Sequence, residues 1–475
     1  MRTLYLHIGT QKTGTSSLQR FCGENRAVFN RLGFEYPKMP FRYRYIRTWR
    51  NGHFLIGNVK DKQGKRLPSE ERSLREQGYE TVGGAFGAYD NVLLSDERLF
   101  DYSAGAAETF WDELLEHARE WRCAVKVIVY LRRQDQLALS WYNQMVKMGA
   151  KHRGEFAWEQ WVELLPGLEL DYCNVLERIA ARMGRENICV RVYDRKQLQQ
   201  AGGSLYADFL GCLGLQMEQG FKAPAKDLNT LSLTPNVLAI KCAVNASPHF
   251  ERGRLVFRRA AEACSAQAAA EPRTSLFSPD EARAFLARYD EGNARIAREY
   301  LHRDGPLFNM EVEEDVEKWN VENSQMHEDL KRYFCSVDAL LATQGPASEQ
   351  SELPDTAAWL ADFEDRLPAG LSVYGYAALC LGDFFIYRQS CIDGGVAVNA
   401  LDDASVSYLV DVLLLHAREM QAAQQQAEER DRELQQAKAA LAAQAAKTTP
   451  LEKARKALAH PGKAARSLLR KARGR

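Results

Sequence analysis

The chain has only ten cysteines in 475 residues, scattered from Cys22 to Cys391, and no two of them form a C-x-x-C pair. That pattern excludes a zinc ribbon and a disulfide scaffold, and it suits a cytoplasmic, reducing compartment in which most of these thiols are small core hydrophobes. Long apolar runs are missing too, so no transmembrane helix is expected. The first apolar stretch is broken by His7 and Gly9 and has no basic leader, and it reads as a core strand rather than a secretory signal. Net charge is absent: 63 Lys and Arg balance 63 Asp and Glu. Ten of the cations lie between Lys447 and Arg475 beside one acid, Glu452, so the rest of the chain is net acidic, which argues against a nucleic-acid partner. What remains is 45% hydrophobic and 27% charged, a composition that fills a globular core in two or three domains.

The most informative stretch is Leu4-Tyr5-Leu6-His7-Ile8-Gly9-Thr10-Gln11-Lys12-Thr13-Gly14-Thr15-Ser16-Ser17. An apolar run passes into a turn rich in Gly, Thr and Ser, and a helix is expected from near Thr15. The free N–H groups of its first turn would point back at an anion. Lys12 adds a full charge, and Thr13, Thr15, Ser16 and Ser17 add hydroxyl donors. The nucleoside-triphosphate loop G-x-x-x-x-G-K-[ST] carries its lysine after the second glycine. Here Gly9 and Gly14 keep the spacing, but Thr15 occupies the lysine position and Lys12 comes two residues before Gly14.

A second segment, Cys123 to Leu131, is rich in β-branched residues and nearly continuous in apolar character, as a strand covered on both faces should be. It ends in Arg132-Arg133, and a helix follows that carries Leu137 and Trp141 on one face and Ser140 eight residues after Arg132. An arginine fork plus a hydroxyl suits a phosphate. Arg133 competes for the role by one residue, and both arginines could instead pair with Asp135.

Lys12-Thr13-Gly14-Thr15-Ser16-Ser17 resembles the 5′-phosphosulfate loop of sulfotransferases that use 3′-phosphoadenosine 5′-phosphosulfate, and Arg132 with Ser140 resembles their 3′-phosphate site. The resemblance is to bacterial carbohydrate sulfotransferases and extends over residues 1–310. It implies an α/β, three-layer P-loop-type domain with a mostly parallel central sheet. It also implies the donor as co-substrate, no metal, and a saccharide or glycolipid acceptor. Gly9, Lys12, Thr13, Gly14, Thr15, Ser16, Ser17, Arg132 and Ser140 would bind the donor, with Lys12 also neutralising the leaving phosphate. The later Gly-rich lid loop of many family members is not found in this chain.

The general base is sought after the strand-like run Asn91 to Ser95, where Asp96-Glu97 follows. The resemblance favours Glu97, with His53 as the alternative; a helix N-terminal charge and an ordinary loop histidine are the plainer readings. Two rivals stay open. Asp96-Glu97 could hold Mg²⁺ in a nucleoside-triphosphate kinase or ATPase, or the domain could be vestigial in a noncatalytic scaffold.

Toward the carboxyl end the chain changes character. Residues 311–400 read as a helical extension with a linker near 343–354 and aromatics at Trp359, Phe363, Tyr374, Tyr376, Phe384, Phe385 and Tyr387. Over 401–447, Val406, Leu413, Met420, Ala427, Leu434 and Leu441 recur every seven residues, but His416, Arg430 and Gln444 fall on the partner seam. A long helix with a weak coiled coil is expected, open to homo-oligomer formation. The basic tail, 448–475, reads as an amphipathic pair broken at Pro461-Gly462, suited to peripheral contact with the inner face of an anionic membrane.

Overall fold

The computed structural model describes residues 2–44, 46, 49–105, 109–149, 158–165, 167–194, 198, 203–224, 231–247, 250–267, 274–343, 371–394 and 400–459. Its centre is a five-stranded sheet of β1 (Arg2–His7), β2 (Phe34–Glu35), β3 (Asn91–Ser95), β4 (Cys123–Leu131) and β5 (Ile188–Val192). The order is β2-β3-β1-β4-β5 and every pairing is parallel. From β1 the chain crosses to the edge strand β2, returns to β3 beside β1, and then passes to β4 and β5 on the other side. Adjacent strands whose onward connections run in opposite directions open a crevice beyond their carboxyl ends, and here that crevice lies between β1 and β4.

Alternation along β1 sorts the two core layers. Leu4 and Leu6 face one hydrophobic cluster with Val92, Val127 and Val190. Tyr5 faces the other, with Leu93, Ile128 and the helices Thr15–Glu24 and Leu205–Cys212 through Leu18, Phe21, Phe209 and Leu210. A sheet buried on both faces needs apolar residues at both parities, which is why the strands read as nearly continuous apolar runs. β1 ends at His7, one residue before the expected Ile8, and the helix begins at Thr15.

The first cluster does not stop at residue 310. It continues through Leu330 and Phe334 of the helix Met326–Ala342, Phe384 and Phe385 of Val373–Asp393, and Val406 to Met420 of a helix that runs from Asp403 to Ala459. The heptad expected to pair with another chain is therefore divided. Val406, Leu413 and Met420 are buried against this chain's own helices, whereas Leu434 is 52% and Leu441 70% exposed. Tertiary burial claims the first half of the seam because the neighbouring helices offer it an apolar surface. The linker residues 344–354, together with Trp359, Phe363 and tail residues 460–475, lie outside the described residues. No helix among the described residues is long and apolar enough to cross a membrane.

Candidate functional site

The loop after β1 is shaped by two glycines that no other residue could replace without strain. Gly9 has φ 108°, and a Cβ there would stand 2.7 Å from the carbonyl oxygen of Glu97; Gly14 has φ 77°, and its Cβ would stand 2.5 Å from a methyl of Leu205. Lys12 itself sits at φ 61°, a conformation that persists in a non-glycine residue only where the surroundings hold it. Gly14 then caps the helix Thr15–Glu24 without any side-chain cap and without an acid in the first turn. A helix end of this kind leaves first-turn N–H groups that can accept an anion.

The receiving cleft, of about 880 Å³, lies beyond the carboxyl ends of β1 and β4. Lys12, Gly14, Thr15, Ser16, Ser17, Arg132, Ser140 and Glu97 all line it. Lys12 Nζ lies 3.3 Å from Oε1 of Gln144, and Arg132 donates to the carbonyl of Lys12 at 3.0 Å. Burial, Arg132 and Lys147 together push the Lys12 ammonium down to about 8. Desolvation and like charge both disfavour its protonated form, and a bound anion would relieve both. Arg132 is seated by Tyr172, whose hydroxyl donates to its carbonyl at 2.7 Å, and lies 5.8 Å from the ring centre of Tyr193.

The structure separates the two neighbouring arginines. Arg133 turns away, gripping Asp135 at 2.8 Å and the carbonyls of Asn309 and Glu311 at 2.9 and 2.8 Å. It thus ties down the segment from which Asn309 and Glu313 reach the cleft. Two of the loop's expected site residues are not brought to the lining. Thr13 is fully buried and donates its hydroxyl to the carbonyl of Thr10 at 2.6 Å, and Gly9 packs against the backbone of Glu97.

The two candidate bases part company as well. Glu97 faces the cleft, with Oε1 3.1 Å from Arg50 and Oε2 accepting from Gln19 at 2.8 Å. His53 does not reach it. Its Nδ1 lies 2.8 Å from Oδ2 of Asp96, its ring stands edge-on to Tyr43, and it lines a separate small cavity. Asp96 is fully buried and receives Arg50 on both oxygens, at 2.7 and 2.8 Å. Burial alone would raise its carboxyl, but Arg50 and His53 hold it well below the usual carboxylate range. The carboxylate that a kinase or ATPase would present to Mg²⁺ is thereby committed to an internal ion cluster.

No family model matches the chain, and no curated relative matches it. One solved structure is similar: a sulfotransferase from Alicyclobacillus acidocaldarius. It shares 16% identity at a TM-score of 0.30, over 54% of this chain and 94% of that one. A likeness this low carries no argument.

Sequence reasoning missed Lys147, Gln144 and Asn143. With Gln136 and Ser140 they form one polar stripe on the helix Gln134–Lys147, and all five line the cleft. Their numbering, 136, 140, 143, 144 and 147, is the spacing of a single helix face and was the signal available. Lys147 is almost fully buried and donates to the carbonyl of Leu231 at 2.5 Å, with Glu262 at 3.4 Å. Asn143 exchanges two hydrogen bonds with the backbone of Leu233, 3.0 and 3.3 Å long, and so fixes the segment that closes the cleft's far side.

Proposed function

We propose that this protein transfers a sulfuryl group from 3′-phosphoadenosine 5′-phosphosulfate to a hydroxyl or amine of a saccharide or glycolipid. One observation carries the reading: Lys12 and the uncapped first turn of Thr15–Glu24 share a single cleft with Arg132 and Ser140. A donor with anions at two ends needs two such sites. Lys12 and the loop N–H groups would balance charge growing on the 5′-phosphate as its bond to sulfur breaks. Ser16, Ser17 and Thr15 would orient the transferred group, while Arg132 and Ser140 hold the 3′-phosphate. Glu97, at the edge of the same cleft, would take the proton from the attacking hydroxyl as the new bond to sulfur forms. The acceptor class follows from the resemblance alone.

Thermal melting tests the donor. Adenosine 3′,5′-bisphosphate without Mg²⁺ should raise the melting temperature more than AMP or ADP at equal concentration. Stabilisation by ATP with Mg²⁺ and none by the bisphosphate would overturn the proposal in favour of a phosphoryl-transfer enzyme. Transfer of labelled sulfate from the donor onto a panel of cell-surface saccharides tests the reaction itself.

The basic segment from Lys447 would bring the enzyme to an anionic membrane at the cytoplasmic face, where each Lys or Arg near the surface is worth about 1 kcal/mol. Cosedimentation with anionic vesicles should vanish when residues 447–475 are deleted and weaken in high salt. Equal sedimentation of full-length and truncated chains would remove that role. The exposed stretch carrying Leu434 and Leu441 would serve self-association.

A further inference from the structure

A second cleft, of about 500 Å³, adjoins the first and shares Gln11, Glu97, Trp141 and Gln144 with it. Its other lining differs in kind. Arg50, Arg98 and Arg254 face it, against Glu97 as the one lining carboxylate among the described residues. Arg50 is committed to Asp96 and Glu97. Arg98 and Arg254 are exposed. The guanidinium of Arg98 lies 5.3 Å from the ring centre of Tyr102, and Arg254 has a carboxylate, that of Glu251, only at 3.7 Å and in solvent. Between the arginines, Trp141, Met145 and Met148 give the cleft an apolar floor.

We propose that this cleft receives the acceptor and that the acceptor is an acidic saccharide, a sugar chain with a carboxylate or sulfate close to the accepting hydroxyl. The inference rests on the sulfuryl-transfer reading above. Glu97 lines both clefts, so a hydroxyl seated in the second meets the base at the mouth of the first. Arg98 and Arg254 supply forked donors for the sugar's anion. Trp141 offers a flat apolar face for the ring's C–H side, leaving the hydroxyls to water and to Gln11 and Gln144. An apolar glycolipid would leave the guanidinium pair without use, and a neutral sugar would gain the stacking alone.

The test uses the full chain saturated with adenosine 3′,5′-bisphosphate, titrated calorimetrically with a glucuronate-containing tetrasaccharide and with its carboxyl-reduced counterpart. The acidic probe should bind at least ~10-fold more tightly, the worth of a charge-assisted hydrogen bond. The double variant Arg98→Gln, Arg254→Gln should lose that factor, bind the reduced probe as before, and keep the melting shift given by the bisphosphate. Both side chains are exposed, so the variant should fold. Equal affinities for the two probes, or an undiminished preference in the variant, would overturn the acidic acceptor while a persisting bisphosphate shift left the donor reading intact. Absence of that shift in the unaltered chain would overturn both.

Discussion

Two clusters of charge stand side by side at the carboxyl edge of the sheet, and they are built to opposite purposes. In one, Arg50, His53 and Asp96 meet at 2.7 to 2.8 Å with Asp96 wholly buried, and cation and carboxylate answer each other inside the protein. In the other, Lys12 and Arg132 line an open cleft, and Lys12 donates to the amide oxygen of Gln144. Charge satisfied internally holds loops in place, whereas a lysine whose ammonium burial and like charge disfavour would gain from an anion brought to the cleft. Glu97 belongs to both, since Arg50 orients it and the cleft exposes it. The comparison teaches that residue type at a strand end does not separate scaffold from site; the partners do.

The largest effect should come from breaking the internal cluster. Asp96→Ala would leave Arg50 without its main partner, and the stability measured by urea denaturation should fall by about 3–5 kcal/mol, as for other buried pairs that lose one member. A loss below about 1 kcal/mol would mean that the cluster is not what holds this edge together. Lys12→Met addresses the other cluster: turnover should drop at least ~100-fold while the melting temperature stays near that of the parent. Near-normal turnover in the folded variant would place the transition-state charge elsewhere.

Arg132→Ala should remove about 2 kcal/mol of the preference for adenosine 3′,5′-bisphosphate over AMP, read from paired titrations. An unchanged preference would point to Lys147 as the 3′-phosphate contact. The smallest effect concerns pH. With its ammonium pushed down to about 8, Lys12 is cationic below that pH and neutral above it, so bisphosphate affinity should be greatest below pH 8. It should then fall by less than about tenfold per pH unit above pH 8, because a single proton is linked to binding. The Lys12→Met variant should show no such fall.

Much of this was legible beforehand. The strands at Leu4, Asn91 and Cys123 announced themselves as short apolar runs, and a helix from Thr15 follows from the change of composition after Gly14. Arg132 and Ser140 could be placed because each lies a fixed number of residues from a strand end. The fate of Arg133 and His53 could not be read, since Asn309 and Asp96, which draw them away, are 176 and 43 residues distant. Lys147 was written into a helical stripe but only becomes part of the cleft because β4 and its helix lie beside β1.

By itself the sequence determined the glycine-shaped loop after β1, the buried parallel strands and the long C-terminal helix, because backbone freedom at Gly9 and Gly14 and apolar periodicity are local properties. Only the tertiary structure decided which charges are neutralised within the fold and which face a cleft. It also decided that half of the heptad seam is buried against the chain's own helices. Those outcomes depend on burial and on partners far apart in the chain. Coulomb energy and desolvation are set by distance and dielectric in three dimensions, which no residue's type or spacing contains.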